Sequence, residues 1–335
     1  MKRSEGVALV RRLIVEWADV VAENFAPGVM ERWGLTYPDL KQERPDLILV
    51  SGSLFGQTGP QRTYPGFGGQ GSAIAGFNHM TGWPESEALG PYGTITDSLS
   101  PRYLASALLS ALIHLRSTGE GQHLDISQIE TGVYSLSEMV VRCSAGGEVM
   151  SRTGNRSEYA APHGIYPCHP ADDGGGQEVE AWIALEVTSD ASWRDLVELL
   201  GSPAWSLESR FARADGRLEH AAELDGELAA WTRSQFAHDL MAKLQRAGIA
   251  AGVVQDFRGL LEDPQLAVRG HFVELEHPVL GPLAYERSGF RLSDTPGGIC
   301  QAAPLLGQHT REILSGVLQL DDGEIDRLES DGITV

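Results

Sequence analysis

The sequence predicts an α/β fold: an open, largely parallel sheet, followed by a smaller α+β domain and a C-terminal segment that returns to the first. Three observations carry this. Helix and strand signals alternate through the first third of the chain, which is the order of parallel strands joined by crossover helices. The early strand runs end in polar or glycine-containing segments, Glu23-Asn24-Phe25 and Ser51-Gly52-Ser53. Near Gly146-Gly147 the pattern changes, and residues 152–176 carry little apolar periodicity. The expected divisions are 1–150, 151–250 and 251–335.

Val7-Ala8-Leu9-Val10 through Trp17 has helical spacing, and Ala18–Ala22 is a short apolar strand. Residues 28–44 read as helix, broken near Gly34. Asp46-Leu47-Ile48-Leu49-Val50-Ser51 is a continuous apolar strand, as in a sheet covered on both faces. Residues 56–76 are rich in Gly and Pro. Gly66-Phe67-Gly68-Gly69-Gln70-Gly71 formally matches a dinucleotide fingerprint, but Pro60 and Pro65 stand where its strand should be. A closely packed glycine loop is the expectation there. Ser100-Pro101 reads as an N-cap with proline at the first helical position, opening a long helix that Gly119 ends. The strand Gln122–Ile126 and the helix Ile129–Cys143 follow. In the second domain, Trp182–Leu185 reads as a strand and 191–200, 217–231 and 235–246 as helices. From Gly248 the chain is proline-punctuated and loop-rich, and a short acidic helix closes it at Glu324–Leu328.

The chain has 335 residues, 42% hydrophobic and 21% charged, with a formal charge of −20. That balance argues against general nucleic-acid binding and against adsorption to anionic membranes, since both need a basic face. Cys143, Cys168 and Cys300 are too few and too irregular for a disulfide framework, so a cytoplasmic location is expected. The N-terminus carries no secretory pattern, and Tyr103–Leu115 is too short to span a bilayer. No metal is expected: Cys168-His169 with His163 fits no ligand template. The serine nucleophile elbow and the phosphate-binding loop are also missing.

Asp97, in Gly93-Thr94-Ile95-Thr96-Asp97-Ser98, precedes the long helix. A carboxylate there is either an N-terminal acid stabilised by the helix dipole or a nucleophile that needs no general base, being ionised at neutral pH. Arg32, Arg62 and Arg102 fall on the ligand side of the expected sheet and form a candidate anion clamp.

At this point several ordered segments resemble the class III CoA-transferases, the CaiB/BaiF family that includes formyl-CoA:oxalate CoA-transferase. The segments are Ala18-Asp19-Val20-Val21-Ala22-Glu23-Asn24-Phe25-Ala26-Pro27-Gly28, Ser53–Pro60, Thr118–Ser127, Arg152–Arg156 with Ala161-Pro162, Gly248–Val254 with Asp263-Pro264-Gln265, and Ala303–Thr310. The resemblance implies a Rossmann-like large domain, CoA as substrate and product, and a homodimer, interlocked in relatives, or a heteromer. It places Asp97 at the catalytic aspartate and Asn24, Phe25 and Arg32 at CoA-contacting positions. Gly174-Gly175-Gly176-Gln177 resembles a glycine loop that covers the site. The implied reaction moves CoA from an acyl-CoA to a carboxylic acid acceptor through aspartyl anhydride and thioester intermediates.

The chain begins inside the family pattern, so the first strand–helix unit of relatives has no counterpart upstream of Met1, and a partner-dependent subunit or fragment is an alternative expectation. Gly68 stands where many relatives carry an acid. Racemases of the superfamily carry a histidine where Phe67 stands. A phenyl ring cannot move an α-proton, so CoA transfer is favoured over racemisation or isomerisation.

Overall fold

Three short parallel strands organise the N-terminal part of the chain. The computed structural model describes residues 3–172, 176 and 178–334. Contacts divide it into two units, Met1–Arg152 with Pro304–Val335, and Thr153–Ala303. The break expected at 250 therefore falls at Pro304: residues 251–303 belong with the second unit, and only the segment after them joins the first.

In the first unit the order is α1 (Ser4–Glu16), β1 (Val20–Glu23), two short helices α2 (Val29–Arg32) and α3 (Tyr37–Lys41), and β2 (Ile48–Ser53). Next come α4 (Gly68–Ala75), the short α5 (Phe77–Met80), α6 (Ile95–Thr118), β3 (His123–Ser127), α7 (Gln128–Ser135) and α8 (Ser137–Gly146). The sheet order is β1-β2-β3, parallel throughout, with Val20 opposite Ile48 and Ser53 opposite Ser127. The apolar run of β2 is buried on both faces. Leu47 and Leu49 pack with Ile14, Leu35 and Leu40 on one side, and Ile48 and Val50 pack with Ala111 of α6 on the other.

Three features differ from the sequence expectation. Gly68–Ala75 is a helix, not a loop. The long helix starts at Ile95, after Thr94, so Pro101 lies inside it rather than at its first position. There the proline has no N–H to bond the carbonyl four residues back, that of Asp97. Finally, the helix expected over 129–143 is interrupted at Leu136.

The second unit holds β4 (His163–Pro167), a two-stranded ribbon of β5 (Ala171–Asp172) and β6 (Glu178–Val179), β7 (Trp182–Glu186), α9 (Asp190–Leu199), α10 (Ala214–Glu219), α11 (Ala221–Thr232) and α12 (Ala237–Arg246). Then follow β8 (Ala250–Val253), the short α13 (Phe257–Glu262) and α14 (Pro264–Val268), and the hairpin β9 (Phe272–His277) and β10 (Gly281–Glu286). Strands β4, β7 and β8 form an antiparallel sheet in that order. Its core of Ile183, Trp193, Leu196, Phe211, Leu224, Leu228, Leu240 and Leu244 surrounds a fully buried cation, Arg217.

The last segment, α15 (Thr310–Gly316) and α16 (Asp322–Ser330), packs Leu314, Leu318, Ile325 and Leu328 against Leu9 and Leu13 of α1. Among the described residues no helix is long and apolar enough to cross a membrane.

Candidate active site

Asp97 sits in the first turn of α6, half-buried. Both its oxygens are held. Oδ2 accepts the backbone N–H of Gly68 at 3.2 Å, and Oδ1 accepts the side-chain amide of Gln128 at 2.7 Å. Gly68 opens α4 and Gln128 opens α7, so the N-termini of three helices meet at one carboxylate. Each presents the positive end of a helix dipole, a setting that favours an anion and any negative charge developing on it.

Local chemistry explains the convergence. Strand β3 runs directly into α7 through Ser127, whose hydroxyl accepts the N–H of Glu130 at 3.3 Å as an N-cap. Gln128 therefore stands at the carboxyl edge of the sheet, where open α/β folds bind ligands. The loop after β2 is tied to the same edge. Leu54 O accepts the N–H of Ile129 at 3.1 Å, and the Asp125 carboxylate accepts the N–H of Gln57 at 2.9 Å. A cavity of about 290 Å³ opens there, lined in part by Phe55, Arg62, Asp125, Ser127 and Glu130. Asp97 is not among the residues that line it.

Glycine allows α4 to approach. A Cβ on Gly68 would lie 2.6 Å from the Asp97 carboxyl carbon, and one on Gly71 would lie 2.4 Å from Thr96 Oγ1. The Gly68 carbonyl is fixed in turn by Ser72 Oγ at 2.7 Å and Thr96 Oγ1 at 3.2 Å. Gly68 thus offers Asp97 a backbone donor. Gly68→Ala is expected to push Asp97 out of place, lowering turnover by about a hundredfold and stability by about 1–3 kcal/mol, the usual cost of overpacking. Steady-state rates beside a thermal melt measure both.

The other expected site residues are placed as follows. Asn24 and Phe25 follow β1 and are exposed. The Phe25 N–H donates to Glu23 Oε2 at 2.8 Å, and its ring meets Trp33 edge-on at 5.2 Å. Arg32 is exposed at the end of α2 with no ion pair among the described residues. Arg62 donates to Gln57 O at 3.3 Å and lies 4.0 Å from Glu31, which brings it to the helix that carries Arg32. Arg102 instead donates to Ser98 O of its own helix, so a three-arginine clamp is not assembled. Gly174, Gly175 and Gln177 lie outside the described residues, and Gly176 is exposed with φ 83°. Phe67 precedes α4, 61% exposed, with no titratable group to offer. Among the described residues no three His, Cys, Asp or Glu side chains cluster as metal ligands. His163 Nδ1 bonds the backbone carbonyl of Asn155 and its Nε2 lies 3.9 Å from Glu186, while His169 Nδ1 bonds the carbonyl of Pro170.

Gln128 and the Gly68 N–H are the residues that reading the sequence missed. Ser127-Gln128-Ile129-Glu130 matches a capping box directly after a strand, the one signal that could have placed Gln128 at a helix mouth.

Residues 1–310 match the pattern of CoA-transferase family III. The chain belongs to that family. This family III CoA-transferase is 36% identical over 331 residues to the succinyl-CoA–D-citramalate CoA-transferase of Chloroflexus aurantiacus, covering 98% of this chain and 80% of that one. It is 30% identical over 331 residues to the alpha subunit of succinyl-CoA–L-malate CoA-transferase from Chloroflexus aurantiacus, covering 98% and 75%. In fold, it resembles the crystal structure of a CAIB/BAIF family protein from Brucella suis, with TM-score 0.85, 29% identity, and 94% and 79% of the two chains covered. This CoA-transferase therefore has the mixed α/β fold of its family, and its reaction uses CoA thioesters and acids.

Proposed function

We propose that this CoA-transferase moves CoA from an acyl-CoA to a dicarboxylic acid, with Asp97 as the covalent nucleophile. The observation that carries the proposal is the Asp97 carboxylate clamped at three helix N-termini on the carboxyl edge of the parallel sheet. The dicarboxylate class is supported by the two relatives named for succinyl-CoA with citramalate or malate.

The reaction runs by oxygen and sulfur exchange at carbonyl carbons. An Asp97 oxygen attacks the thioester carbonyl, the C–S bond breaks, and CoA leaves as thiolate, giving a mixed anhydride. The thiolate attacks the aspartyl carbonyl and expels the donor acid, leaving an aspartyl-CoA thioester. The acceptor carboxylate displaces the thiolate to form a second anhydride. The thiolate then attacks the acceptor carbonyl and releases Asp97 as carboxylate. Thioester energy is kept throughout, so water must be excluded. Each hydrogen bond to Asp97 uses one lone pair of a carboxylate oxygen and leaves another for attack. Once an oxygen has become an acyl carbonyl, its donor is already aimed at the oxyanion of the next step. Asn24, Phe25 and Arg32 hold CoA, with Arg32 supplying charge to its phosphates.

The test is trapping. The enzyme is incubated with succinyl-CoA, quenched with hydroxylamine, and the peptide bearing Asp97 is weighed by mass spectrometry. A hydroxamate on Asp97 is expected, and its appearance on another residue, or on none while exchange proceeds, overturns the proposal. Gln128→Leu removes one donor and is expected to lower kcat by about 10²–10³, the usual loss of an oxyanion donor, with a smaller change in KM.

The active form is proposed to be a dimer in the reducing cytoplasm, where the three free cysteines remain thiols. Leu109 and Ile113 form one face of α6 at 63% and 70% exposure, and Val140 and Val141 of α8 stand at 49% and 60%; a second chain would cover them. Leu109→Glu with Ile113→Glu is expected to convert the dimer to monomer in analytical ultracentrifugation.

A further inference from the structure

In the second unit a cavity of about 590 Å³, well within the range of ligand sites, is lined by Arg269, Arg287, Arg291 and His271. No Asp or Glu lines it, although acids outnumber Lys plus Arg by 46 to 26 over the chain. Several arginines elsewhere are tied to carboxylates, as in Arg44–Asp46, Arg210–Glu223 and Arg311–Glu329, whereas Arg32 and Arg102 stand apart from acids among the described residues. Among the described residues no carboxylate lies within ion-pair distance of Arg269, Arg287 or Arg291. Guanidiniums gathered on one cavity without a counter-charge repel each other, and an anion relieves that repulsion. One of the three is pre-set: Arg287 Nη2 donates to Gly297 O at 3.0 Å, and its backbone N–H donates to His271 O at 2.8 Å. Beside the cations stand Phe290 and Leu292, 68% and 51% exposed on the same lining. An inorganic anion would leave that apolar surface in water.

We infer that this cavity binds an organic phosphate, a phosphorylated nucleoside whose phosphates pair with Arg269, Arg287 and Arg291 and whose base covers Phe290. It belongs entirely to the second unit and contains none of the residues assigned to the reaction. The ligand's source is a free adenine nucleotide or the nucleotide end of a CoA molecule.

The test uses 8-azido-ADP on the full-length enzyme, with photolabelled peptides mapped by mass spectrometry. Label is expected between residues 270 and 300. Arg269→Gln with Arg291→Gln, both at exposed positions, is expected to reduce it at least tenfold at an unchanged melting temperature, and Arg291→Glu alone to reduce it comparably. Arg32→Gln, which alters the proposed CoA contact, is expected to leave it unchanged. Competition by ADP at lower concentration than CoA assigns the site to free nucleotide, and the reverse order assigns it to CoA; either supports the inference. Labelling undiminished in the double variant, labelling confined to residues 1–152, or displacement by inorganic pyrophosphate as effective as by ADP overturns it.

Discussion

Replacing Asp97 with Asn is expected to abolish CoA exchange, by about four orders of magnitude or more, while leaving the fold intact. An amide is not a nucleophile toward a thioester at neutral pH, and no neighbouring carboxylate bonds to the same donors. Tolerance of the change follows from Gln128. Its Oε1 is buried and unpartnered while its Nε2 serves Asp97. With Asn at 97, the Gln128 amide can turn over and offer Oε1 to the new NH₂, while the Asn oxygen keeps the Gly68 N–H. The melting temperature is therefore expected to move by only a few degrees. Retention of exchange by the Asn variant would remove Asp97 from the mechanism, and a large fall in melting temperature would show that the carboxylate charge holds the three helices together.

The largest effect on stability is expected at Arg217, 0% exposed in the core of the second unit. Its Nε donates to Ala161 O at 2.8 Å and its Nη1 to Phe211 O at 3.1 Å; its Nη2 lies 3.0 Å from Asp190 Oδ1. The guanidinium also sits 5.4 Å from the Trp193 ring centroid. Burial lowers its pKa, and the Asp190 carboxylate opposes that shift. Arg217→Leu leaves two interior carbonyls without a donor, at a cost of about 3–5 kcal/mol in all for the unsatisfied acceptors, while Asp190, 45% exposed, is free to solvate. At about 2–4 °C per kcal/mol, calorimetry should find the second unit melting roughly 6–20 °C lower. Arg217→Lys restores only part of this, because an ammonium cannot serve three acceptors with a planar fork. Arg213→Gln is the control: its partner Asp215 and Arg213 itself are 73% and 78% exposed, and surface ion pairs contribute little.

Much of the first unit was legible because its signals are local. β2 is a continuous apolar run, and Gly119 ends the long helix with φ 78°. Asp97 was legible as a carboxylate at a helix mouth. The donors that hold it were not, because they come from segments 29 residues before it and 31 after it. Helix α4 was hidden for a related reason. Gly68, Gly69 and Gly71 each cost about 1 kcal/mol relative to alanine in a helix. Gly68 and Gly71 are there because Asp97 and Thr96 leave no room for side chains, a tertiary demand that local propensity cannot register. Ser100-Pro101 misled in the opposite way: a good local cap was overridden by a turn already begun at Ile95. In 272–277 the alternation of Phe272-Val273-Glu274-Leu275-Glu276-His277 did mark a strand, but the prolines around it drew the reading toward loop.

The first unit is built from both ends of the sequence, with α15 and α16 closing over α1. Arg327 pairs with Glu5, 322 positions away. During translation, α1 therefore waits with Leu9 and Leu13 uncovered until α15 and α16 have been made. The second unit, being contiguous, has every one of its residues available earlier. At about 5–20 residues per second the wait lasts on the order of tens of seconds, an interval in which that apolar face of α1 lacks its native cover.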